Sequence, residues 1–253
     1  MHRYLAVFLL NLFSFSAMAA DVAQGDVDFS GYVIDRVPRW TWQIATPDQQ
    51  WNIDVADSRD DGKGNQLFSL THKGTLPFLE GYLKEVAERG HVGMLPKIVF
   101  SSAGVPLNFT DGGPDSAHAR VFVPVLNADT GEAIGRLSFV LEQGMMVAQG
   151  STARPEDRYP GLSGAALTNS DVHSPGLTQR LLSLLAMNRG SEAAGIPVQI
   201  QASPVTPLVL SDSRVTYLAA SWASQLSDFS LSWPQEKLPS RWRATLSVMV
   251  TMQ

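Results

Sequence analysis

The last twelve residues of the chain constrain its fold most. Trp242, Ala244, Leu246, Val248, Val250 and Met252 fall on one face of an extended segment, and four of the residues between them are polar. Such period-two alternation marks a strand with one face against a core. The pattern runs to Gln253, where the sequence stops, so this strand is expected to lack a neighbour on one side. An unpaired edge of that kind is an aggregation hazard until another strand fills it. The alternative is an ordinary last strand, paired on both sides.

Most of the preceding chain also reads as short strands between turns. Trp40 to Ile44 and Trp51 to Val55 alternate apolar and polar residues. The polar, Gly-rich turn Asp60 to Asn65 precedes a strand at Leu67 to Leu70. Lys97 to Phe100, Arg120 to Leu126 and Ile134 to Leu141 are further strands, and Asn127 to Glu132 reads as a hairpin loop between the last two. Leu177, Leu181, Leu184 and Leu185 recur at helical spacing, with Ser174 as N-cap, Pro175 at the first helical position and Gly190 beyond the end. A helix is expected from about residue 175 to 189. Leu79, Leu83 and Val86 fit a second, shorter helical face, and Gly144 to Gly176 reads as a long surface excursion. The expected fold class is all-β, a sandwich with one or two short helices in surface excursions. There is no internal repeat, and no linker divides the chain.

His2 and Arg3, the apolar stretch Tyr4 to Phe15, and Ala17-Met18-Ala19 have the order of a secretory signal, cut after Ala19. The apolar stretch is shorter than the roughly 20 residues that cross a bilayer. A net charge of −5 argues against nucleic acid as a partner, because phosphate binding needs clustered Lys and Arg. Cysteine is absent, so thiol nucleophiles and disulfides are excluded, and the fold rests on packing and strand pairing. With 44% hydrophobic residues, the chain can bury a core.

Nothing in the sequence assembles an active site or a cofactor site. Of the histidines at 2, 72, 91, 118 and 173, the first leaves with the signal, and no two of the others stand at metal-ligand spacing. Tyr159 to Gly164 lacks the glycine spacing of a nucleophile elbow. Asp57 to Gly62 has Arg59 where a calcium loop needs an oxygen ligand, and Phe68 where it needs Glu. No catalytic residue, metal ligand or cofactor is assigned.

Near the other end, Asp28-Phe29-Ser30-Gly31-Tyr32-Val33 places Phe29, Gly31 and Val33 on one face, which Val27 extends. A free segment of this kind can add a strand to an open edge, its alternate side chains entering pockets. The alternative is an ordinary first strand of its own domain.

These two ends and several motifs between them resemble the Fae-type fimbrial subunits of the kappa class, which are assembled by chaperone and usher. The family's DFNGSVDI is similar to DFSGYVID at Asp28 to Asp35. Its KWEWKVG resembles Arg39 to Ala45, its PQIAF resembles Pro96 to Phe100, and its LNVAITYY resembles Leu246 to Gln253. Its YFVLPMKNAEGTKVGSVKV resembles Val121 to Val140. The motifs follow the same order over nearly all of residues 20–253.

The resemblance implies an incomplete immunoglobulin-like sandwich lacking its last strand. Residues 1–19 would be the signal peptide, 20–35 the donor segment and 36–253 the pilin domain. A periplasmic fimbrial chaperone would lend a strand beside Leu246, Val248, Val250 and Met252, and an outer-membrane usher would receive the complex. In the cell-surface fibre, a donor equivalent to Val27, Phe29, Gly31 and Val33 of another fimbrial subunit would replace the chaperone. Met252 and Gln253 stand where the family has aromatic residues, and Asp35 is polar at the donor's fourth inward position. These departures fit a minor subunit. Two other readings are an adhesin binding a host glycan, with Tyr159 the one aromatic in the excursion, and a secreted β-sandwich hydrolase.

Overall fold

A computed structural model describes residues 39–46, 48–150, 162–167, 173–187 and 206–253. Arg36–Gln253 form one compact unit. The expected signal peptide and the donor residues Val27, Phe29, Gly31 and Val33 lie outside the described residues, as do Tyr159 and Asp35.

The elements in chain order are β1 (Trp40–Ile44), β2 (Arg59–Asp60), β3 (Asn65–Ser69), β4 (Leu76–Leu83), β5 (Ala87–Arg89), β6 (Pro96–Ser102) and β7 (Val105–Pro106). There follow β8 (Asn108–Asp111), β9 (His118–Asn127), β10 (Ala133–Gly150), β11 (Leu162–Leu167), α1 (Pro175–Met187), β12 (Thr216–Pro234), β13 (Trp242–Ala244) and β14 (Ser247–Met252). Eleven strands form one sheet, whose main path runs β1-β4-β12-β10-β9-β13. The other three form a second sheet ordered β14-β6-β7. Every pairing among them is antiparallel. The fold is all-β, as expected, with one α-helix among the described residues.

The main core is rich in aromatic residues, with Phe68, Phe78, Phe100, Phe139, Phe229, Trp222 and Trp233 all buried. Trp40 stacks on Trp42 at 5.0 Å, and Trp42 meets Trp222 at 6.0 Å. Gly81, opposite Trp42 in the ladder, makes room for this ring. A Cβ there would lie 2.3 Å from Trp42 Cε3.

A smaller core lies beneath α1. Leu177, Leu181, Leu184 and Leu185, all buried, pack on Met146, Ala148, Ala219 and Ala223. Small side chains on β12 let the helix approach the sheet closely. Ser174 caps the helix, its Oγ accepting from the Leu177 N–H at 3.2 Å. The helix and its cap therefore stand where the leucine spacing put them.

Other expectations need correction. Leu79 and Leu83 belong to β4, not to a helix. Leu79 to Gly81 are buried without alternation, because β1 and β12 flank β4 and both of its faces are covered. Trp51 to Val55 is not a strand. Trp51 and Ile53 turn half-buried against the core while Asn52 and Asp54 are exposed, so the alternation reflects one-sided burial with no ladder. The expected excursion begins later than Gly144: β10 continues to Gly150, with Leu141 to Ala148 buried under α1 and against β12. The longest strand, β12, was not foreseen. Its Leu218 to Ser224 are buried throughout and carry no period-two signal, although Phe229 to Trp233 alternates.

The C-terminal alternation also spans two elements. β13 pairs with β9 in the large sheet, and β14 pairs with β6 in the small one. The chain changes sheets at Thr245 and Leu246, where Ser102 Oγ donates to the Thr245 carbonyl at 2.7 Å. The apolar face is kept across the crossing, so the sequence pattern conceals it.

Candidate assembly site

The expected edge can be built from β14 outward. β14 runs antiparallel to β6, from Ser247 opposite Ser101 to Met252 opposite Pro96. Among the described residues, no strand pairs with the other edge of β14. Gln253 continues the attachment: its N–H donates to Leu95 O at 2.9 Å, and its carbonyl accepts from the Gly93 N–H at 2.7 Å. The strand is thus held along one side to its last residue.

Its two faces differ as the alternation requires. Leu246, Val248 and Val250 are half-buried and pack against the main core, while Ser247, Met249 and Thr251 are exposed. Met252, expected on the inward face, is 42% exposed. Three of the four edge residues therefore face inward, and the fourth lies beyond the reach of the core.

A cavity of about 210 Å³ opens beside the crossing. Thr46, Gln49 and Trp51 line it together with Trp242, Ala244 and Leu246, and the buried Phe139 and Phe229 reach it from the core. Asp48 is the charged residue among those lining it. A second cavity, of about 690 Å³, lies along β6 and is reached by Phe100, Leu107, Met145 and Trp222. There β6 pairs with β7 only at Ser101 and Ser102. Both openings have one geometric cause: three strands face eleven, so parts of the core are not roofed by a ladder.

The other candidates are placed as follows. In the segment resembling a calcium loop, the Asp61 carboxylate accepts from the Lys63 N–H at 2.7 Å, and from the Asn65 N–H and amide at 3.1 and 2.7 Å. The Asn65 side-chain bond is the largest influence holding its pKa below the ordinary carboxylate value. These oxygens serve the turn itself. The fold also brings together three residues that sequence spacing left apart, His118, Glu142 and His173. His118 and Glu142 face each other across the β9–β10 hairpin, and His173 joins them from the approach to α1.

Fold and edge together define a β-sandwich in which, among the described residues, one edge of β14 has no ladder partner and a slot opens at Leu246. Residues 2–253 match the family described as fimbrial, major and minor subunit. The chain belongs to this family of fimbrial subunits, whose role is structural and adhesive and whose setting is a surface fibre. Comparison with curated proteins finds no match.

Proposed function

We propose that the chain is a minor fimbrial subunit that polymerises by donor-strand exchange after a periplasmic chaperone delivers it to an outer-membrane usher. The observation carrying this reading is β14, which among the described residues has a ladder on one side only, with Leu246, Val248 and Val250 half-buried above the core. A strand laid beside it would continue the β6–β14 sheet through main-chain bonds and set alternate side chains into the slot. Each apolar side chain taken fully from water there contributes about 1.5–3 kcal/mol, which adds to the main-chain bonds against the cost of ordering the strand. Val27, Phe29, Gly31 and Val33 supply the alternating face such a donor needs. Exposed Met252 shortens the inward row, in keeping with a specialised subunit rather than the abundant one.

The test is expression of residues 20–253 with and without the cognate chaperone. A soluble one-to-one complex with the chaperone, and aggregation or degradation without it, is the expected result. A stable monomer folding alone at normal yield would refute the open edge.

A further inference from the structure

We propose that His118, Glu142 and His173 form a binding site for a divalent transition metal of the zinc class, which staples β9, β10 and the start of α1 together. One ligand atom from each residue falls within 4.8 Å of the others. His118 Nε2 lies 3.4 Å from Glu142 Oε1, and His173 Nδ1 lies 3.9 Å from the same oxygen. Zinc holds nitrogen and oxygen ligands at about 2.0–2.2 Å, so tetrahedral ligand atoms stand about 3.3–3.5 Å apart. Of the triangle's three edges, one already has that length and the second needs to shorten by about half an ångström. The third, between the two imidazoles, is within 4.8 Å and closes by rotation of the exposed His118 ring.

The surroundings fit a metal site in three respects. The carboxylate is held in place by the Ser174 N–H at 2.6 Å on Oε1, and on Oε2 by Ser174 Oγ at 2.9 Å and the Gln225 amide. Gln225 Nε2 also donates to Ser174 Oγ at 2.8 Å, so the carboxylate is oriented by groups that are themselves bonded. Outer partners of this kind orient metal ligands and raise affinity. The His173 side chain is fully buried and that of Glu142 nearly so, while His118 is 45% exposed and offers the ion a route in. A water can take the fourth position on that side. Gly144 leaves space for the His173 ring, since a Cβ there would lie 2.9 Å from its Cε1.

The ligand set, two imidazoles and one carboxylate, is that of zinc sites with an open fourth position. In a chain without cysteine, such a staple would close the long connection between β10 and α1 as a disulfide closes a loop.

The test is zinc uptake by untagged residues 20–253, carried by the chaperone where the chain needs it, with the chaperone alone as control. Competition against a chromophoric chelator is expected to give one zinc per chain and a raised thermal midpoint that a chelator reverses. His118→Ala, at an exposed position that leaves folding intact, is expected to weaken uptake at least about tenfold and to remove the midpoint shift. His173→Ala and Glu142→Gln are expected to do the same where they fold. No zinc uptake by the parent chain, or equal stoichiometry and affinity in His118→Ala, would overturn the site.

Discussion

Arg180 of α1 forks onto Glu80 of β4, its Nε meeting Oε1 at 2.6 Å and its Nη2 meeting Oε2 at 2.6 Å. Gln43 of β1 donates to the same carboxylate at 2.8 Å. Burial pushes the Glu80 pKa up, but the hydrogen bonds from Arg180 and Gln43, with the Arg180 charge, outweigh it and hold the pKa below 4.5. The pair thus ties α1, edge strand β1 and its neighbour β4 at one carboxylate.

Arg180→Ala would leave a nearly inaccessible carboxylate with a single donor. The expected cost is about 2–4 kcal/mol at pH 7, below the range for a fully buried pair because Arg180 is part-exposed. Since the folded pKa is depressed, the contribution is present above 4.5 and is lost as pH falls through the folded value. Urea denaturation followed by tryptophan fluorescence should show parent and variant converging in acid; a gap as wide there as at pH 7 would contradict the assignment.

Charge placed on the inward face of β14 should prevent strand addition. Val248→Asp with Val250→Asp is expected to abolish co-purification with the chaperone, because a buried unpaired carboxylate costs more than the added strand contributes. Met249→Asp, on the exposed face, should co-purify as the parent does. Equal capture of all three chains would reject the edge.

Removal of residues 20–33 separates the two roles. The shortened chain should still be captured by the chaperone, since its own β14 is untouched, yet it should not enter a neighbour's slot. Fibre incorporation, followed by immunoblotting of sheared fimbriae, reads the difference; normal incorporation would remove the donor role.

Gly81→Ala should strain the β1–β4 ladder. Its Cβ would meet the Trp42 ring at 2.3 Å, and the ring is already stacked on Trp40. Overpacking of this kind costs about 1–3 kcal/mol and should appear as a changed near-ultraviolet circular dichroism signal.

Leu181→Ala removes a fully buried anchor of the smaller core. The expected loss is about 2–5 kcal/mol in denaturation, with chaperone capture unchanged because the helix packs away from β14.

Legibility in the sequence followed exposure. α1 could be read because one face meets the sheet and the other meets water, so the leucine spacing survives. β1, β3, β6 and β9 could be read for the same reason. Leu218 to Ser224 of β12 and Leu141 to Ala148 of β10 could not, because they are covered on both faces and lose the alternation, whereas Phe229 to Trp233 of β12 keeps it. The edge residues Leu246, Val248 and Val250 were legible as a face, but their change of sheet was not, because the crossing preserves the face. His118 and Glu142 stand opposite each other in the β9–β10 hairpin, so that pair follows from the hairpin register, but His173 joins it only through the approach to α1.

The crossing at Thr245 and Leu246 has a mechanical consequence. One short stretch of chain is bonded to β9 on the large sheet through β13 and to β6 on the small sheet through β14. Tension arriving at this stretch divides between both layers, so a pull on the C-terminal strand loads the two sheets together.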